Sequence, residues 1–287
     1  SKITNIKYGP HSSSFPQRTM TSTNIAAATN RLPQVAGQAV VTYVGDLDAG
    51  KWMSLVDASV NSANGGPCVQ GANAGHMIDT THSGAVGALV GTKVGTMAQT
   101  TLLDATATYA VCYAEESGST TDRTWRDSYI RVQMTKLAGI ASHGIRHVTN
   151  GQIAREGVPE EYIRGAVITP VTKQLGLTYD GTLGSDQYVS LVDETLNGMF
   201  PCVDGTVAVQ NADARHSGVV RAAGSVLTLS TSGMGTNVTF AVCYSEGNGQ
   251  STDVWVDSGI RLTVSKITSI KYGTDSSSFP RRTMTST

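Results

Sequence analysis

The sequence predicts an all-β protein made of two tandem β-sandwich modules within a longer repeat array. Three observations carry that prediction. Residues 1–23 and 265–287 are identical at 19 of 23 positions, at an offset of 264. A near-copy of the opening segment at the far end is how one period of a tandem array looks when slightly more than one period is read. Inside that period the first half reads onto the second in an order that never inverts. Finally, the local signal is β almost throughout, with β-branched and aromatic runs separated by Gly, Ser, Thr, Asn and Asp.

The internal match begins at Thr42-Tyr43-Val44-Gly45-Asp46-Leu47, which reads onto Thr178-Tyr179-Asp180-Gly181-Thr182-Leu183. It continues through Ser54-Leu55-Val56-Asp57 and Ser190-Leu191-Val192-Asp193, then Pro67-Cys68 and Pro201-Cys202. His82-Ser83-Gly84 follows with His216-Ser217-Gly218, and Ala110-Val111-Cys112-Tyr113 with Ala241-Val242-Cys243-Tyr244. Trp125, Asp127-Ser128 and Ile130-Arg131 match Trp255, Asp257-Ser258 and Ile260-Arg261. The expected organisation is a first module over residues 1–135, a second over 136–265, and the start of the next repeat at 266–287. The chain opens on Ser1 rather than Met, and the expectation is an interior window of a longer protein.

Individual strands follow from composition. Val40–Tyr43 is β-branched and aromatic and stops at Gly45-Asp46. Ala105–Tyr113 and Asn237–Tyr244 are long enough for central strands, and 219–230 holds two short strands split by Gly224. Ile260–Val264 alternates apolar and polar residues as a last strand should. Val158–Ile163 alone reads as briefly helical. No Pro, Gly or polar tract separates the last strand of one module from the first of the next. A flexible linker would be rich in Gly and Ser, so successive modules are expected to be held stiffly.

Composition narrows the functions without ruling out a partner. Charged residues are 15% of the chain, and 21 basic against 22 acidic groups leave a net charge of −1, without the electrostatic drive of a nucleic-acid binder. Ser and Thr together make up about 22%, so the surface is polar through hydroxyls, as in many secreted β-proteins. The apolar runs fall far short of the ~18–20 residues of a membrane span. The four cysteines fall two per module at equivalent positions, Cys68 with Cys112 and Cys202 with Cys243. Separations this long do not fit the short paired motifs of a zinc site. They fit one disulfide per module in an oxidising compartment, each stabilising its module by roughly 3–4 kcal/mol.

At Ala107–Cys112, with Asp104 ahead of it, the chain resembles the penultimate strand of immunoglobulin-like domains, in which an acidic residue, a small residue, a corner tyrosine and a cysteine follow in order. Cys112 lies three residues after Tyr109 rather than two, so it should face the opposite side from the family's cysteine. In the second module Phe240 replaces the tyrosine, which removes the corner hydroxyl there. The segments Lys2-Ile3-Thr4-Asn5-Ile6 and Lys266-Ile267-Thr268-Ser269-Ile270 resemble the opening strand of IPT/TIG-type immunoglobulin-like modules. The resemblance implies immunoglobulin-like sandwiches and no catalytic residue.

Side chains with chemical potential are few. His82 and His216 sit in matched His-Ser-Gly segments that read as turns, and no Gly-x-Ser-x-Gly elbow accompanies them. Asp57/Asp193, Asp122/Asp253, Asp127/Asp257 and Glu115/Glu246 recur without a dense calcium loop, which points to turn and strand-end hydrogen bonding with a partner in Arg131 or Arg261. The expectation is no catalytic residue, no metal ligand and no cofactor. Trp125 and Trp255 precede the last strands and are expected to pack in the core or, as site residues, at module junctions, the rival role being stacking on a sugar. Asn237-Val238-Thr239 is the sole N-glycosylation sequon, and Ser12–Ser14 and Thr19–Thr23 are hydroxyl clusters suited to O-glycans. Residues 10–31 differ from their counterpart 145–165 and are a natural place for module-specific lateral contacts. The functional expectation is an extracellular or cell-surface structural repeat protein that associates with itself. The rival is an adhesive or glycan-binding surface array.

Overall fold

A computed structural model describes residues 1–10, 17–24, 29–35, 39–97, 100–156, 174–273 and 282–285. The expected helical stretch Val158–Ile163 and the hydroxyl cluster Ser12–Ser14 lie outside the described residues, as do parts of the two segments assigned to lateral contacts.

The protein is all-β. The first half carries strands β1 (Ile3–Tyr8), β2 (Arg18–Thr21), β3 (Arg31–Pro33), β4 (Val40–Gly45), β5 (Trp52–Asp57), β6 (Val86–Gly87), β7 (Val94–Thr96), β8 (Thr108–Ala114) and β9 (Arg126–Thr135). The second half carries β10 (Leu137–Ser142), β11 (Ile145–His147), β12 (Asn150–Ile153), β13 (Leu175–Gly181), β14 (Tyr188–Asp193), β15 (His216–Arg221), β16 (Val226–Leu229), β17 (Thr239–Ser245) and β18 (Val256–Val264). A final hairpin joins β19 (Ser269–Tyr272) to β20 (Arg282–Thr285).

Each half folds into two sheets. In the first they are β2-β1-β4-β7 and β3-β9-β8-β5-β6; in the second, β11-β10-β13-β16 and β12-β18-β17-β14-β15. Strands β3 and β9 pair in parallel, as do β12 and β18. Ile3, Ile6, Val41 and Tyr43 of one sheet share a buried cluster with Leu55, Val111, Ile130 and Val132 of the other, so the two sheets face across one core. Leu137, Ile140, Leu177, Leu191, Val242 and Leu262 do the same in the second half. The first cluster uses residues up to Met134 and the second starts at Leu137.

Alternation along β8 explains where the disulfides go. Tyr109, Val111 and Tyr113 point into the inter-sheet core. Ala110, Cys112 and Ala114 point out of the sandwich into a second, smaller cluster with Val56, Cys68, Ala74 and Trp125. Cys112 thus faces away from the main core, as its spacing from Tyr109 implies. The Cys68–Cys112 disulfide pins the long excursion between β5 and β6, with its one-turn helix α1 (Gly71–Ala74), onto the outer face of the five-stranded sheet. Cys202–Cys243 does the same for the excursion carrying α2 (Gly205–Ala208).

Strand β8 starts at Thr108, three residues later than the β-branched run from Ala105 suggests. Asp104 accepts bonds from the Thr106 amide and hydroxyl, both at 2.8 Å, and this local turn competes with strand pairing. The Asp104 amide also donates to the Tyr109 hydroxyl (2.6 Å), which in turn donates to the Thr80 carbonyl (3.0 Å). A hydroxyl-bonded corner therefore exists in the first half, where the second has Phe240.

Candidate functional site: the module junction

Strand β9 ends at Thr135 and β10 begins at Leu137, so a single residue, Lys136, joins the halves. Its amide donates to the Tyr244 hydroxyl at 3.0 Å and its ammonium pairs with Glu246 at 2.6 Å. The same clamp holds the chain's first strand: the Lys2 amide donates to Tyr113 at 3.1 Å and its ammonium pairs with Glu115 at 2.5 Å. Each half is thus entered through a lysine tied to the end of its own β8-type strand.

Across the junction the contacts include part-buried hydrogen bonds and one close backbone approach. Thr182 donates to the Gln34 side-chain oxygen at 2.7 Å, while the Gln34 amide nitrogen donates to the Leu103 carbonyl. Gly9, with φ at +97°, lies so close to Thr149 that a Cβ built on it would sit 2.5 Å from the Thr149 methyl. Arg18, on β2, reaches from the first half into the second. Its guanidinium donates to the Arg31 carbonyl (2.7 Å) and across the junction to the Val148 carbonyl (3.1 Å), and lies over the Tyr8 ring.

Arg18 is buried, and burial lowers its pKa to about 10, so it stays charged at neutral pH. Its Nε is without a hydrogen-bond partner among the described residues. On the facing side Asp257 pairs with Arg261 through two bonds of 2.9 Å, and Glu194 adds a third at 3.1 Å. Arg31 lies near the same group, and burial lowers its pKa too. Three guanidinium groups and two carboxylates therefore meet where the halves touch. The ion pairs lie within the second half, and what crosses the junction is the Arg18 bond to the Val148 carbonyl, which a misaligned pair of halves would leave unmade on a buried charged donor.

Room for Arg18 comes from Gly259. A Cβ there would lie 2.6 Å from the Arg18 Cζ and Nη1. Gly259 sits at the register shift of β17–β18 with φ at +74°. The equivalent residue in the first half is Tyr129, at the matching shift of β8–β9, with φ at +64° and an exposed side chain. Both halves make the same bulge, and only the second leaves it bare. A shallow cleft between the halves, about 280 Å³, is flanked by Gln34, Val35 and the Arg146–Asp180 ion pair. That falls below the volume of most enclosed ligand sites.

The residues singled out by sequence are distributed as follows. Trp125 and Trp255 do not pack across the junction. Each is buried within its own half beside the disulfide, its indole N–H donating to the carbonyl of Ser119 or Gln250 at 3.0 Å. The excursion that covers the outer sheet face supplies the apolar pocket, so the indoles are unavailable to stack on a sugar. Asp122 organises the β8–β9 turn by accepting from the amides of Ser117, Gly118 and Thr124. Those bonds, with that of the Thr124 hydroxyl, outweigh the opposing effect of burial and lower its pKa to about 2. Asp127 pairs with Arg131 at 2.9 and 2.7 Å, as Asp257 does with Arg261. Asn237 is exposed just ahead of β17.

His82 and His216 are buried, and each bonds through Nδ1 to an aspartate three residues earlier, Asp79 or Asp213, at 2.9 Å. The structure adds one residue that the comparison of halves passes over. His76 brings its ring to within 4.5 Å, between centroids, of the His82 ring. Its signal in the sequence is the spacing His-x-x-Asp-x-x-His over 76–82. No family model and no curated protein matches the chain.

Proposed function

We propose that this chain is a structural repeat of an extracellular filament, appendage or surface stalk, made of immunoglobulin-like modules that stack end to end and associate with copies of themselves. The observation that carries this reading is the junction: one connecting residue, a buried charge cluster and direct hydrogen bonds from Arg18 to Val148 and from Thr182 to Gln34. A chain of modules joined this way resists bending at each joint, whereas a flexible tether would be joined by a solvated linker. The two disulfides fit an oxidising compartment, and no helix among the described residues is long and apolar enough to cross a membrane.

The final hairpin supports the array reading. Ile3, Ile6, Tyr8 and Met20 are buried in the first half, but their copies Ile267, Ile270, Tyr272 and Met284 are exposed. The four differences between the two segments, Asn5/Ser269, Pro10/Thr274, His11/Asp275 and Gln17/Arg281, all spare this apolar set. The second reading, an adhesive or glycan-binding array, is favoured only by the exposed loops, since both matched tryptophans are buried. Glycan at Asn237 is part of the proposal and is read by mass spectrometry of native material.

Electron microscopy of native material, without disaggregation, tests the main reading. Strands of about ten residues at ~3.3 Å each make two modules repeat every roughly 65–80 Å along a filament. Regular filaments with that spacing support the proposal; separate, freely bending particles refute it.

A further inference from the structure

Asp79, His82 and His76 form an arrangement that the second half lacks in one respect. Asp79 Oδ1 is fully engaged: it accepts from the Thr81 amide (2.7 Å) and hydroxyl (2.9 Å), the His82 amide (2.7 Å) and His82 Nδ1 (2.9 Å). Its other oxygen, Oδ2, lies 3.1 Å from His82 Nδ1 and 3.5 Å from His76 Nδ1. Two imidazoles therefore flank one carboxylate oxygen. A donor atom from each of the three residues lies within 4.8 Å of the other two, the only such group of three among the described residues.

The second half shows how much of this the fold needs. At the offset of 134 that relates His82 to His216, Asp79 maps to Asp213 and His76 to Gln210. Asp213 accepts from the Arg215 amide at 2.7 Å and from His216 Nδ1 at 2.9 Å, so the turn and the Asp–His pair form without a second histidine. Both His82 and His216 keep a buried Nε2 without a partner, which makes that orphan atom a property of the turn and not of any ligand. What remains specific to the first half is His76. Its side chain is about half exposed (49%), and its Nδ1 lies 3.0 Å from the Met77 carbonyl and 3.5 Å from the Asp79 oxygen that the turn leaves least used.

We propose that His76, Asp79 and His82 bind a divalent transition-metal cation of the zinc class on the first module. Two imidazole nitrogens and a carboxylate oxygen suit zinc, copper(II) or nickel(II), and leave a coordination position for water or an external ligand. Calcium and magnesium, which require mainly oxygen ligands, are excluded by the donor set. The turn pre-forms two of the three ligands, since Asp79 and His82 are fixed by the same backbone bonds in both modules and His82 is held against β5 by its bridge to Val56. Binding is independent of the filament reading, so the two proposals fail separately.

Isothermal titration calorimetry of the untagged 287-residue chain with zinc chloride at neutral pH tests the site. The expected result is one equivalent per chain. His76→Gln, which gives the first half the residue the second already carries, should weaken binding by at least on the order of a hundredfold, the upper end of what even outer partners of a metal contribute. The converse change Gln210→His should create a second equivalent. Gln210→His should leave the unfolding temperature of the metal-free chain unchanged, and His76→Gln, which loses only half-exposed contacts to Met77, Asp79 and the His82 ring, should shift it little. Cobalt(II) should give an absorption spectrum that His76→Gln abolishes. Zinc binding that is unsaturable, or unchanged in stoichiometry and affinity by His76→Gln, overturns the proposal.

Discussion

Replacing Gly259 by alanine tests whether the junction is a fitted contact. The new Cβ would stand 2.6 Å from the Arg18 guanidinium carbon, where ordinary contact needs roughly an ångström more. Arg18 is buried and bonded at 2.7 Å to Arg31 and 3.1 Å to Val148, so a retreat of that size breaks at least the bond to Val148, which spans the junction. A hydrogen bond to a charged group contributes about 1.5–3 kcal/mol. The left-handed backbone at Gly259 adds about 1–2 kcal/mol for any residue with a Cβ. Gly259→Ala should therefore cost about 2.5–5 kcal/mol. In an Arg18→Ala background only the backbone strain remains, so the second substitution should cost about 1–2 kcal/mol and the pair should couple by ~1.5–3 kcal/mol. Urea denaturation of the four proteins in the cycle gives the coupling, and small-angle scattering reports the loss of a fixed angle between halves. Additivity within ~0.5 kcal/mol would refute the claim that Arg18 occupies the space Gly259 leaves.

Three further outcomes follow from the same geometry. Replacing both Cys68 and Cys112 by alanine removes a cross-link between residues 44 apart and should cost the first half about 4 kcal/mol; it should also make 58–85 the first segment cut by protease, and equal protease resistance would count against the pinned excursion. Tyr109→Phe deletes the hydroxyl that joins Asp104 to Thr80, and should destabilise the first half by about 1–3 kcal/mol in denaturant melts. Its counterpart Phe240 already works without one, so Phe240→Tyr should not stabilise the second half. Asp122 and Asp79 have folded pKa values of about 2, below the ~3.9 of an unfolded aspartate. Their contribution is complete above about pH 4 and is lost as the pH falls towards 2. Thermal unfolding followed from pH 5 to 2 should show this decline, and Asp122→Asn should flatten it.

Much of the fold was legible because the chain carries its own comparison. Matching the halves paired the cysteines by position, and the three-residue step from Tyr109 to Cys112 indicated that the disulfide lies outside the main core. The same comparison hid what is not shared. His76 has Gln210 as its counterpart and so drew no attention, although its spacing to Asp79 and His82 was in plain view. Gly259 and Tyr129 occupy one bulge, but only coordinates show that the glycine is shaped to Arg18, more than two hundred residues away in sequence. For Trp125 and Trp255 the sequence indicates burial, in the core or at a junction, but does not choose between the two, and the structure places both inside their own halves. The partner is an excursion whose path over the sheet depends on α1 and the disulfide, and neither has a periodic signature. Ala105–Ala107 looked like strand from β-propensity, but Asp104 captures the Thr106 amide and delays β8.

The topology bears directly on the mechanical reading. Tension along such a filament would enter the second half at Leu137, on β10, and leave at Val264, on β18. Strand β12 lies between these points and pairs with β18 in parallel over Asn150↔Arg261, Gly151↔Leu262, Gln152↔Thr263 and Ile153↔Val264. Once the β10–β11 hairpin yields, β12 is drawn towards the N-terminus and β18 towards the C-terminus. In a parallel pair those directions oppose each other along the strand axis, so the inter-strand bonds are loaded together in shear rather than opened one at a time. The first module repeats the device with β3 and β9 over three pairs. The disulfides do not carry this load, because Cys68–Cys112 and Cys202–Cys243 each tie an excursion to a central strand and bridge neither β3 to β9 nor β12 to β18. If the chain bears load as proposed, its resistance to extension rests on parallel pairing and core burial, and the covalent links protect the covered outer face.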